Sequence, residues 1–116
     1  MLKSIAHASP DDAPAILELQ KLAYQSEARL YDDWNIPPLT QTLNELISDF
    51  TTKICLKAQV EGKIFGSVRG HQVGDTCYIE RLIVHPNFQG QGIGTALMAQ
   101  IESCFERVRR FELFTG

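Results

Sequence analysis

Apolar positions along the chain change their period several times, and each change marks an element. Ile16, Leu19, Leu22 and Ala23 recur at the spacing of one helix face. They predict a helix capped by Ser9, with Pro10 at its first position, running to about Gln25. The stretch Ser26 to Pro38 is polar and aromatic, and Pro37-Pro38 is expected to stop any helix there. Leu39, Leu43, Leu46, Ile47 and Phe50 predict a second helix with these residues on one face. Residues 3–7, 53–60, 63–73, 76–84 and 110–115 read as strands, with turns at Glu61-Gly62 and Gly74-Asp75. Gly66 and Gly70 inside the third strand predict a bulge or a close approach of another backbone. Ile93, Leu97, Ile101, Cys104, Phe105 and Val108 stripe one side of a helix between the last two strands. The order is therefore β-α-α-β-β-β-α-β. Antiparallel strands followed by one strand–helix–strand unit define an α+β fold, a mixed central sheet flanked by helices.

The chemistry concentrates between residues 78 and 101. An apolar strand runs into Val84-His85-Pro86, then into Gln89-Gly90-Gln91-Gly92-Ile93-Gly94-Thr95, then into the last helix. Small residues let backbone N–H groups approach a ligand without a Cβ in the way. The helix start adds unpaired N–H groups and the positive end of its dipole. Such a corner suits an anion, usually a phosphate. A phosphate-binding NTPase loop needs Lys and then Ser or Thr after its last glycine, but Thr95-Ala96 follows Gly94. The dinucleotide fingerprint needs G-x-G-x-x-G, and here Thr95 stands at the third glycine position, with only Glu112 as a candidate ribose ligand. A third pattern, Q-x-x-G-x-G after a strand ending in V-x-P, is present in full.

With that pattern the sequence resembles the GNAT superfamily of acyl-CoA-dependent N-acyltransferases, closely over residues 53–115 and loosely over the whole chain. The resemblance implies a GNAT-like fold and acetyl-CoA as cosubstrate; no metal is expected, because His7 and His71 are isolated and no His/Cys/Asp cluster has metal spacing. It assigns the pyrophosphate to Gln89, Gly90, Gln91, Gly92, Ile93, Gly94 and Thr95. It also implies that Leu82, Ile83 and Val84 splay from the neighbouring strand and pair with the pantetheine amides. Backbone N–H near Leu82 would then donate to the thioester oxygen as charge develops. The stretch between the first two helices lines the acceptor pocket in this fold. Glu27, Tyr31, Asp32 and Trp34 are its candidates here, and Glu27, Asp32 and Asp33 would make it acidic, which suits a cationic amine on a small molecule or peptide; a solvated loop is the alternative.

Glu80 interrupts the apolar strand two residues before Leu82 and is the candidate base for the amine proton. The competing reading is a structural acid paired with Arg69, Lys63 or, less readily, Arg81. His85 reads as a turn residue.

The family continues past this point with a helix and two strands, and that helix commonly carries a tyrosine that protonates the departing thiolate. This chain ends at Gly116 and has no tyrosine after Tyr78. It is expected to be a single domain, residues 1–116, incomplete at its C-terminus. The alternatives are a homodimer that completes the sheet through the exposed last strand (Phe111, Leu113, Phe114) and a naturally short chain. A non-catalytic acyl-CoA-binding or assembly module therefore stands beside the enzyme reading.

Composition narrows the classes further. The net charge of −3 over 116 residues argues against nonspecific nucleic-acid binding. No segment approaches the roughly 20 apolar residues of a membrane span, and the N-terminus does not read as a signal peptide. Cys55, Cys77 and Cys104 are dispersed without metal spacing, which reads as reduced buried thiols in a cytoplasmic protein.

Overall fold

A computed structural model describes residues 3–113. One five-stranded sheet runs β1-β2-β3-β4-β5 in chain order. The strands are β1 (Lys3–His7), β2 (Ile54–Val60), β3 (Lys63–Val73), β4 (Thr76–Val84) and β5 (Arg110–Leu113). The first three pairings are antiparallel, β2–β3 and β3–β4 through the two predicted turns and β1–β2 across the helical segment; β4 and β5 are parallel. A parallel pair needs a crossover, supplied by α4 (Ile93–Ser103). The predicted fold class is what is observed. Residues 114 and 115, expected to extend the last strand, lie outside the described residues.

The first two helices depart from expectation. α1 spans Ala13–Tyr31, past Gln25, because no Pro or Gly follows Pro14 of its first turn and Ala28 is buried. It stops where Asp32 turns left-handed (φ 50°) and Asp33 N–H reaches back to Ala28 O at 3.1 Å. Pro37-Pro38 begins a helix rather than stopping one. α2 (Pro37–Thr40) is a single turn with proline at its first position, where the missing N–H costs nothing. α3 (Leu43–Thr52) starts separately at a reciprocal cap, in which Glu45 N–H donates to Thr42 Oγ1 (3.2 Å) and Thr42 N–H to Glu45 Oε1 (2.8 Å). The predicted second helix is thus split, and of its apolar face Leu46 is fully buried while Leu43 and Ile47 stay partly exposed.

α4 covers one face of the sheet, where Ile93, Leu97 and Ile101 pack on Leu56, Ala58, Val68, Cys77 and Ile79. α1 and α3 cover the other through Ala13, Ile16 and Leu46, which pack with Cys55 of β2. The helix lies close because β3 has no side chain beneath it at two points. A Cβ on Gly66 would sit 2.9 Å from Ile93 Cγ2 and 3.0 Å from Leu97 Cδ1; one on Gly70 would sit 3.0 Å from Phe105 Cε2. Both glycines serve close approach, and a register shift between Ala58 and Gln59 adds a bulge beside Gly66. Gly66→Ala is expected to destabilise the domain by about 1–3 kcal/mol through overpacking. The check is a lower urea midpoint at unchanged slope.

Candidate functional site

One residue in β4 changes which way the strand faces. Arg81 has φ 54°, the left-handed region that costs an L-residue about 1–2 kcal/mol. The register moves from Ser67↔Ile83 to Arg69↔Glu80, so Arg81 and Leu82 together stand against Val68. This is a β-bulge. Strict alternation would put Glu80, Leu82 and Val84 on one face. With the bulge, Leu82 and Val84 pack on the α4 side. Ile83, opposite Ser67, and Glu80, opposite Arg69, are turned toward α1 and α3. Among the described residues β5 pairs with β4 only from Thr76 to Ile79, so none of them forms a strand beside β4 on that side from Glu80 onward.

After β4 the chain is held before it enters the glycine loop. His85 Nδ1 accepts from Asn87 N–H at 3.0 Å, which confirms His85 as a turn residue. Phe88 stacks on Phe65 with ring centroids 4.0 Å apart, and His85 meets both rings edge-on. Gly90 and Gly92 take φ of 79° and 82°, yet a Cβ at either would meet nothing within 4 Å. They are glycine for the sake of the backbone angle, not for room. Gly92 caps α4, its carbonyl accepting from Ala96 N–H at 3.0 Å. The N–H groups of Ile93, Gly94 and Thr95 open that helix and have no acceptor within it.

These elements line an open cavity of about 370 Å³ bordered by Leu82, Val84, Phe88, Gln89, Gly90, Gly92, Ile93, Gly94 and Thr95. It gathers most of the residues assigned to the cosubstrate. Two stand elsewhere: the Ile83 side chain is buried on the opposite face, and Gln91 lines a separate small cavity with Ser4, Ile5 and Val60. Phe88 was not anticipated; an aromatic just after Pro86 was its only signal. The lining fits a molecule with a phosphate end and a long arm, with helix-start N–H groups for the first and the Leu82, Val84 and Phe88 wall for the second.

Residues 13–115 match the acetyltransferase (GNAT) family. The chain belongs to the GNAT family. It is 33% identical over 94 residues to acetyltransferase ECA0875 of Pectobacterium atrosepticum, a match that covers 79% of this chain and 60% of that protein. The chain therefore spans about three-fifths of this relative's length. Its fold is shared with the PaiA N-acetyltransferase of Thermoplasma acidophilum in complex with coenzyme A (TM-score 0.78, 14% identity, 91% of this chain and 73% of that one). It is shared also with a mutant BH1408 protein of Bacillus halodurans (TM-score 0.83, 19% identity, 97% and 82%). A third structure with this fold is an aminoglycoside acetyltransferase, meta-AAC0020 from an uncultured soil metagenomic sample, in complex with sisomicin (TM-score 0.72, 18% identity, 98% and 78%).

On the α1–α3 face of this GNAT sheet lies a buried polar cluster that the sequence reading missed. Arg69 is 1% exposed and Gln20 fully buried. Arg69 Nη1 donates to Asp49 Oδ2 (2.9 Å) and Gln41 Oε1 (3.3 Å), and Nη2 donates to Gln20 Oε1. Gln20 Nε2 donates to Pro38 O at 2.8 Å. Burial pushes the Arg69 pKa down from its ordinary value, an effect that the nearby Cys55, Asp49 and Glu80 oppose. The signals were a charged residue within the apolar run of β3, and Gln20 four positions after Ile16 on the buried face of α1.

Glu80 is ion-paired to Lys53, the residue that ends α3. The expected partners Arg69, Lys63 and Arg81 are thereby corrected. Lys53 is far from Glu80 in sequence, and only the packing of α3 on the sheet brings them together. Tyr24 is half-buried near Arg81, Glu27, Arg69 and Glu80, and burial raises its hydroxyl pKa above the ordinary value. Of the candidate acceptor residues, Glu27 is partly buried on α1. Asp32 forms the left-handed end of that helix, while Tyr31 and Trp34 are 69% and 49% exposed. Burial raises the pKa of the Cys55, Cys77 and Cys104 thiols above the ordinary value; Cys55 and Cys77 are buried, Cys104 only partly.

The loop glycines should differ in sign. Gly92→Ala is expected to cost about 1–2 kcal/mol from left-handed strain. Gly94→Ala is helical and its Cβ would meet only Val84 Cγ2 at 3.6 Å, so it should gain about 0.5 kcal/mol. Urea midpoints of the two variants measured against the parent decide it.

Proposed function

We propose that this GNAT chain is an acyltransferase that moves an acetyl group from acetyl-CoA to a primary amine of a small molecule or peptide. The observation that carries the reading is the 370 Å³ cavity, which joins the start of α4 to the bulged half of β4. The loop Gln89–Thr95 would take the pyrophosphate on its main chain, and the backbone of β4 after the bulge would pair with the pantetheine amides. Backbone N–H near Leu82 is the donor to the thioester oxygen as charge develops.

The bulge supports a division of labour between the two faces. The thioester would come from the α4 side, and the amine from the α1–α2 side, past Glu27, Tyr31, Asp32 and Trp34. The amine nitrogen attacks the thioester carbon in a ternary complex. The C–N bond forms, the C–S bond breaks, and the amine proton passes to Glu80 directly or through water. Coenzyme A departs as its thiolate and is protonated from solvent or a nearby group.

The Lys53 contact favours a second reading, in which Glu80 is structural and the chain binds acyl-CoA without transferring it. Titration calorimetry with acetyl-CoA tests what the two readings share. A thiol-release assay over polyamines, amino acids, aminoglycosides and lysine peptides separates them. Transfer is expected, with Glu80→Gln lowering kcat about 100-fold while acetyl-CoA still binds. Binding without turnover of any amine supports the second reading, and no binding rejects both.

A further inference from the structure

The buried cluster meets at one carboxylate. Asp49 Oδ2 accepts from Arg69 Nη1 at 2.9 Å and from Gln41 Nε2 at 3.1 Å. Its other oxygen, Oδ1, lies 3.6 Å from Lys53 Nζ, and Lys53 is the partner of Glu80. On the far side Arg69 holds Gln20, and Gln20 holds Pro38 O (2.8 Å) and Gln41 Oε1 (3.0 Å). Gln20 belongs to α1, whereas Pro38 and Gln41 belong to the turn of α2 and its end. The segment Asp32–Ile36, with Trp34, is strung between them.

Two cations therefore face one acceptor-only group, one on each oxygen. A carboxylate serves both; an amide cannot, because one of its two ends is a donor. We propose that Asp49 is a positioning residue for acyl transfer: through Lys53 it sets where Glu80 stands, and through Arg69 and Gln41 it sets where the α1–α2 segment stands. The proposal rests on the transferase reading above. It adds that base and acceptor wall are placed by the same side chain, while the coenzyme cavity across the sheet is not.

The test uses D49N, K53M and the double variant in the full chain. Trp34 is the single tryptophan, so acrylamide quenching of its fluorescence reads the segment without any assay of activity. The amine is whichever of spermidine, kanamycin and a lysine peptide the parent turns over fastest. D49N is expected to lower kcat/KM for that amine by about tenfold or more, through both kcat and KM, with the acetyl-CoA Kd changed less than about twofold. K53M should lower kcat and leave Trp34 quenching unchanged, whereas D49N makes Trp34 more quenchable. The double variant should be no slower than D49N alone, because the Lys53 effect is contained in the Asp49 effect.

Losses that multiply in the double variant, or quenching in D49N equal to the parent's, overturn the proposal. Should D49N fail to fold, D49E keeps the charge but displaces it and is read by the same two signals. A parent chain that binds acetyl-CoA yet acetylates nothing defeats the transferase reading, and the role of Asp49 in catalysis with it. The quenching comparison then separately decides whether Asp49 holds the segment.

Discussion

The left-handed turn of one residue, Arg81, divides β4 into two halves with different duties. A regular strand presents every second side chain to the same side. With Glu80 committed to the α1–α3 face, Leu82 and Val84 would follow it there. The extra residue at the bulge reverses the phase, so that Leu82 and Val84 reach the α4 side while Glu80 stays behind. One strand can then wall the cavity at the start of α4 on one side of the sheet and carry a carboxylate on the other. The backbone strain at Arg81 is small beside the free energy of the core that holds it, which is how such a conformation persists.

The glycines divide along the same line. Gly66 and Gly70 let α4 lie down on β3, and Gly90 and Gly92 let the chain turn into the start of that helix. The first pair removes side chains because space is short. The second removes them because the backbone angle is unfavourable for any L-residue, with space to spare. Both act on the position of the N–H groups at the start of α4, one through helix height and the other through loop path. Phe88, clamped on Phe65, fixes the remaining end of the loop.

A buried arginine is costly unless its donors are met by acceptors and its charge by a counter-charge. Arg69 has a counter-charge in Asp49 and acceptors for Nη1 and Nη2, while its buried Nε has no hydrogen-bond partner; the acceptors come from α1, the end of α2, and α3 on that face. The cost of burying the charge makes the arrangement specific, since helices packed in another way would strand the guanidinium. The same requirement draws Asp49 to the place where it also meets Lys53.

Strands, turns, the glycine corner and the Ile93, Leu97 and Ile101 part of the α4 stripe were legible because each depends on near neighbours; the expected stripe residues Cys104, Phe105 and Val108 follow the helix end at Ser103. Alternation, turn residues and the V-x-P and Q-x-x-G-x-G spacings are local properties, and they led from sequence to the GNAT family and to most of the cavity lining. The C-terminal end of α1 was hidden because nothing in the sequence before Asp32 marks its left-handed stop, and the split of α2 from α3 was hidden because Pro37-Pro38 stops a helix or starts one according to what precedes it. The bulge at Arg81 left no mark, since nothing in Glu80-Arg81-Leu82 distinguishes it from a regular strand. The partner of Glu80 was likewise hidden. Which lysine reaches a carboxylate 27 positions away depends on how α3 settles on the sheet, and that is fixed by the burial of Leu46, Cys55 and Arg69 together. The sequence alone determined the local geometry, a glycine-rich turn between an apolar strand and the start of a helix. Only the tertiary structure decided which face each β4 residue serves and which charges meet, because both are outcomes of packing over the whole sheet.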